Sequence, residues 1–127
     1  MNIELIDHLS SYEDERGQVI TYLPKDPLVE MNIIHTKEGE TRGFHYHPEY
    51  DEYMIITSGE GTVTEYSDDG EHINTITTPT GSVVRIPKNI KHSSKAITDY
   101  TFINLLTKTW DDCENAILPM ENTAWKF

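Results

Sequence analysis

Helical hydrophobic periodicity is nearly absent from this chain, whereas short β-type runs recur from one end to the other. The runs Gln18–Leu23, Glu30–Thr36, Glu52–Ser58, Gly61–Tyr66, His72–Thr77, Ser82–Ile86 and Tyr100–Thr107 are rich in β-branched and aromatic residues. Between them sit turn formers: Lys25-Asp26-Pro27, Lys37-Glu38-Gly39, Ser58-Gly59-Glu60-Gly61, Ser67-Asp68-Asp69-Gly70 and Thr78-Pro79-Thr80-Gly81. The Asp-Gly pair at Asp69-Gly70 suits a tight hairpin, because glycine accepts the positive φ such turns need. Many short strands at this spacing predict an all-β fold, a sandwich or barrel of antiparallel strands. A jelly roll satisfies the pattern most simply.

The 127 residues suit one domain, 1–127, with a core large enough to stand without disulfides. A lone cysteine, Cys113, excludes an intramolecular bridge, reads as a structural thiol, and fits a reducing, cytoplasmic setting. Residues 1–20 mix charges with apolar positions and contain no signal-peptide core, and no apolar run approaches membrane-span length. Acidic residues outnumber basic ones 22 to 10, for a formal charge of −12. Such a surface repels nucleic acid and anionic lipid, so neither is an expected partner.

Chemistry concentrates in two segments. His45 and His47 are one residue apart, so on a strand they face the same side. Glu52 follows five residues later, and the segment Gly81–His92 delivers a further histidine after a strand and a turn. Three imidazoles and a carboxylate form a ligand set for one divalent first-row metal: zinc first, with iron, manganese or nickel also accommodated. His8, His35 and His72 have no partners at such spacing and read as strand or loop histidines.

These segments resemble the two motifs of the cupin superfamily. Gly39, His45, His47, Glu52 and Gly59 match the first motif at every fixed position. Gly81, Pro87 and His92 match the second, with Asn89 where a glycine is usual and Ala96 where an asparagine is usual. The resemblance implies a single-domain cupin jelly-roll β-barrel in which His45, His47, Glu52 and His92 bind the metal.

A narrower resemblance covers more of the chain. Asp14-Glu15-Arg16-Gly17 and Arg42-Gly43-Phe44-His45 are similar to elements of nucleotide-sugar epimerases and sugar 3,4-ketoisomerases. The run from Ile86-Pro87 through Trp110-Asp111 is similar to the metal-binding cupins of capsular-sugar enzymes. This resemblance implies an isomerase that removes the proton beside the ketone of a 4-keto nucleotide sugar, in polysaccharide biosynthesis. Its catalytic candidates are His45, His47, Tyr46 and Tyr53, with Tyr50 as a further neighbour. Arg16, Arg42, Arg85 and Lys91 are the candidates for substrate binding, Arg16 and Arg42 as bidentate partners of the diphosphate. A histidine that ligates a metal cannot also be the free base, and that alternative stays open here. Two others do too: a cupin dioxygenase or isomerase of a small organic acid, and a non-catalytic sugar-binding barrel. The edges of such a barrel predict a homodimer, with the strand near Ile3–Ile6 as the element for exchange.

Overall fold

A computed structural model describes residues 2–120. All of its regular structure is strand, apart from one 3-10 turn at Trp110–Asp112. Five strands form one sheet in the order β1(Glu4–Leu5), β9(Val83–Ile86), β6(Glu52–Ser58), β11(Tyr100–Leu106) and β4(Glu30–Thr36). The facing sheet runs β12(Leu118–Pro119), β5(Thr41–Tyr46), β10(Lys91–Ala96), β7(Gly61–Tyr66) and β8(His72–Thr78). Every pairing between strands is antiparallel, and the two layers form the expected jelly roll. A separate hairpin, β2(Ser10–Asp14) with β3(Gly17–Thr21), pairs with neither sheet.

The expected strands are present to within a residue or two at their ends. The turn at Ser67–Gly70 closes as the sequence predicts, with Gly70 at φ 88° and its amide donating to the Ser67 carbonyl at 2.9 Å. Lys91–Ala96 is different. Its residues have little β preference, yet it lies centrally between β5 and β7, because its neighbours supply hydrogen-bonding partners on both edges.

Strand parity divides the interior along its length. On β11, Tyr100 and Phe102 join the apolar core, and Asn104 and Leu106 continue on the same face into a cavity. On β6, Ile56 is core, Met54 borders both regions, and Glu52 is in the cavity wall. On β10, Ala96 is core, whereas Ser94 and His92 line the cavity. Ile3, Val63, Val84 and Ile86 complete the apolar half. One end of the barrel therefore supplies stability, and the other is left open for chemistry.

The segment expected to exchange between subunits does not stand free. β1 pairs with β9 of its own chain, and Ile3 is buried in the core. Buried Glu65 on β7 fastens it by accepting from the amides of Asn2 and Ile3, at 2.8 and 2.9 Å, and from the Asn2 side chain at 3.0 Å.

Candidate functional site

A bulge in β5 aims the first two histidines. Across β10, His45 is opposite His92 and Gly43 is opposite Ser93, so Phe44 is the extra residue. Gly43 has φ 108° and Phe44 φ 58°. A Cβ on Gly43 would meet the His92 carbonyl oxygen and the Ser93 Cα at 2.8 Å each, so only glycine allows β10 to approach this closely.

The bulge and β10 bring three imidazoles together. The His45 ring lies 4.8 Å from His47 and 4.9 Å from His92, and His47 lies 5.1 Å from His92. Their candidate ligand nitrogens all fall within 4.8 Å of one another. Glu52 Oε1 is 3.2 Å from His47 Nε2 and 3.8 Å from His92 Nε2. All four side chains are buried.

Surrounding groups fix how each member points. His92 Nδ1 bonds the Ile90 carbonyl at 2.8 Å; as the donor it leaves its Nε2 lone pair toward Glu52 and the cluster centre, as a ligating histidine requires. The Tyr50 hydroxyl lies 2.7 Å from His47 Nδ1, and burial raises its pKa, so it stays a neutral phenol. Asn104 donates to Glu52 Oε2. Asn32 donates at 2.9 Å to the Asn104 carbonyl oxygen and at 2.9 Å to Glu30, which also accepts the Trp110 amide at 2.8 Å. A continuous hydrogen-bonded wall thus runs from the 3-10 turn to Glu52.

Electrostatics keep the histidines available. Burial, then the neighbouring His92 and His47, lowers His45 to about 2. Burial, then His47, lowers His92 to about 4. Both are neutral at pH 7 and offer lone pairs. For Glu52, burial pushes upward, but bonding and attraction to His47, with help from His92 and Asn104, hold it at about 2. A carboxylate and neutral imidazoles form the donor set a divalent ion takes, so the residues present fit the expected metal.

The cluster opens into a cavity of about 480 Å³. Its walls include Ile33, Ile34, Met54 and Phe102 on the apolar side, and Arg42, Asn32, Glu30, Ser94 and Trp110 on the polar side. Of the four cations expected to bind substrate, Arg42 alone lines the cavity, oriented by 2.9 Å bonds to the Thr36 hydroxyl and the His35 carbonyl. Arg16 is on the separate hairpin with its side chain 81% exposed, paired to Asp14 at 2.6 Å. Arg85 is on the outer side of β9 in a salt-bridged group with Glu4 and Asp51. Lys91 reaches the Asp68 carbonyl and the Tyr46 ring.

Tyr46 and Tyr53 also fall outside the cavity lining. Tyr46 is the last residue of β5, between His45 and His47, and the Tyr53 hydroxyl accepts the Lys25 amide at 2.9 Å. Tyr50, in the loop after β5, is the tyrosine that touches the cluster. Asn32, Ser94 and Asn104 carried no motif. Their signal is a polar side chain at an inward position of a strand, visible only once strand parity is assigned.

A family model described as the polysaccharide biosynthesis C-terminal domain matches residues 12–114. The chain belongs to that family. No curated protein sequence matches it. Among solved structures, a 3,4-ketoisomerase from Helicobacter canadensis is 18% identical with a TM-score of 0.77, over 93% of this chain and 90% of that one. A mutant of the 3,4-ketoisomerase QdtA from Thermoanaerobacterium thermosaccharolyticum, in complex with TDP-4-keto-6-deoxyglucose, is 16% identical with a TM-score of 0.73, over 92% and 86%. The 3,5-epimerase RmlC from Legionella pneumophila, in complex with dTDP-4-keto-L-rhamnose, is 15% identical with a TM-score of 0.67, over 92% and 77%. The likeness is one of fold, and with it this polysaccharide biosynthesis C-terminal domain has the cupin-type jelly roll its motifs imply.

Proposed function

We propose that this domain is an isomerase or epimerase of a 4-keto nucleotide sugar, working by removal of the proton beside the ketone. The carrying observation is the buried His45–His47–His92–Glu52 cluster inside a cavity that also presents Arg42. A cavity of about 480 Å³ suits a hexose, with the diphosphate directed toward the guanidinium. Similarity of fold to enzymes solved with 4-keto nucleotide sugars supports the substrate class.

The proton beside a ketone leaves when a base accepts it and the enediolate oxygen is stabilised. Neutral His45 is the expected base in a metal-free site, since a developing enediolate beside it favours the imidazolium it becomes. His47 is steadied by Glu52 on one ring nitrogen and Tyr50 on the other, which fixes its ring plane. Return of the proton to the opposite face of the same carbon gives the epimer; return to C4 gives the 3-keto isomer. The apolar wall of Ile34, Met54 and Phe102 excludes water from the reacting carbons.

The same cluster supports a second form of this site. His45, His47, Glu52 and His92 would hold one divalent ion, zinc first, as the inward-turned Nε2 of His92 favours. Such an ion supplies Lewis-acid stabilisation of the ketone oxygen. Assembly as a homodimer in the cytoplasm belongs to the same proposal.

The test is solvent exchange. In D2O, TDP-4-keto-6-deoxyglucose should acquire deuterium at C3, and His45→Asn and His47→Asn should each slow this by about 100-fold. Exchange that collapses with a chelator and returns with zinc assigns the metal form; exchange indifferent to chelation assigns the metal-free form. Oxygen consumption without C3 exchange would instead mark a dioxygenase. No exchange with any of several 4-keto nucleotide sugars, with or without metal, removes the isomerase proposal.

A further inference from the structure

Ser94 has an uncommon position for a serine. On β10 the inward-facing residues are His92, Ser94 and Ala96, alternating with Ser93, whose hydroxyl meets that of Tyr66 at 2.9 Å, and with exposed Lys95. Ser94 is only 7% exposed, and its Oγ has no hydrogen-bond partner among the described residues. A buried hydroxyl without a partner forfeits its bonds to water and receives nothing in return. Alanine would fit the same strand position, as it does two residues on at Ala96. What adjoins Ser94 is the cavity: it lines the wall beside Gly43 and its register partner Arg42.

We propose that the Ser94 hydroxyl is a ligand-recognition group, completed by a hydroxyl of the bound sugar. This rests on the nucleotide-sugar assignment above and adds a specificity determinant to it. Ser94 is two residues along the strand from His92, roughly 6.6 Å. With C3 and C4 of a hexose at the histidine cluster, that separation reaches past C3 to the substituent on C2. Ser94 then meets the C2 hydroxyl, the one hydroxyl of a 4-keto-6-deoxyhexose nucleotide that is not on a reacting carbon. A bond at such a place is equally strong in the ground and transition states, so it contributes to binding and leaves the chemical step alone.

Ser94→Ala provides two readouts that move in opposite senses. In the ligand-free protein, removing an unpartnered buried hydroxyl should leave the melting temperature unchanged or raise it by about 3 °C. In steady-state turnover the same change should raise KM by about 3- to 10-fold with kcat within about twofold, the loss of one neutral hydrogen bond. A deoxy analogue lacking the recognised hydroxyl should lose the same factor with wild-type protein and nothing further with S94A. A fall in melting temperature, or an unaltered KM in S94A with active wild-type protein, overturns the Ser94 assignment and leaves the isomerase proposal standing. Wild-type protein inactive on every 4-keto nucleotide sugar overturns both.

Discussion

His45 and His92 tie the chemistry of the site to its stability. Burial, followed by neighbouring imidazoles, lowers them from 6.5 to about 2 and about 4, so the unfolded chain binds protons at these positions before the folded one does. Glu52, held at about 2 against an ordinary 4.5, acts in the same sense at lower pH. Depressed values contribute stability above the unfolded pKa that is lost as pH falls toward the folded one. The stability of metal-free protein, and its melting temperature with it, should therefore be level above about pH 6.5 and fall below it, the stability by about 1.4 kcal/mol per pH unit for each excess proton. Below about pH 4.5 Glu52 joins as His92 drops out near pH 4, so the decline continues at a similar slope toward pH 2. His92→Gln should flatten the part between about pH 6.5 and 4, and thermal unfolding across a pH series reads the slope. At this scale the four cluster residues were legible because motif spacing and strand parity agree on them. Parity also bears on the tyrosines: Tyr46 lies between two inward histidines and Tyr53 follows inward Glu52, so each turns to the other face. The cations were not legible, since charge alone does not tell which face of a barrel an arginine occupies.

Among the elements, the β5 bulge does most to build the site. Phe44 at φ 58° re-aims the strand so that His45 faces His92, and Gly43 lets the two backbones touch. Gly43→Ala should destabilise the fold by roughly 2 kcal/mol, because a Cβ would collide with backbone atoms on β10 and would also be strained at φ 108°. Denaturant unfolding measures the loss, and metal affinity or C3 exchange should drop with it, since His92 is the neighbour displaced. The His45–His47 spacing predicts the strand and its inward face but not the bulge. Arg42-Gly43-Phe44 has a glycine compatible with several conformations, and which one forms depends on how near β10 comes. β10 itself was hidden for a related reason: Lys-His-Ser-Ser-Lys-Ala has the composition of a loop, and it is a strand because β5 and β7 flank it.

Across the whole molecule, the two sheets enclose a core and a cavity, and the β2–β3 hairpin belongs to neither. A two-stranded hairpin has little stability of its own. This one leaves Tyr12 and its cross-strand partner Val19 at 63% and 61% exposure. Met31 and Ile33 are as open, on β4 at the free edge of its sheet. A second copy of the chain offers matching surfaces: a hairpin in search of a sheet and a sheet edge in search of a strand. We therefore expect a homodimer in which the hairpin, rather than Ile3–Ile6, crosses to the partner. The charge of −12 on each copy opposes association, so dimerisation should strengthen between low and physiological salt as screening sets in. Light scattering should give about twice 14.6 kDa at micromolar concentration in physiological salt. Val19→Asp and Tyr12→Asp should return the particle to 14.6 kDa, because each puts a charge where apolar surface would be covered. The barrel core of these variants should remain folded, since neither side chain belongs to it. A wild-type monomer at every salt concentration would show that the hairpin stands alone in solution.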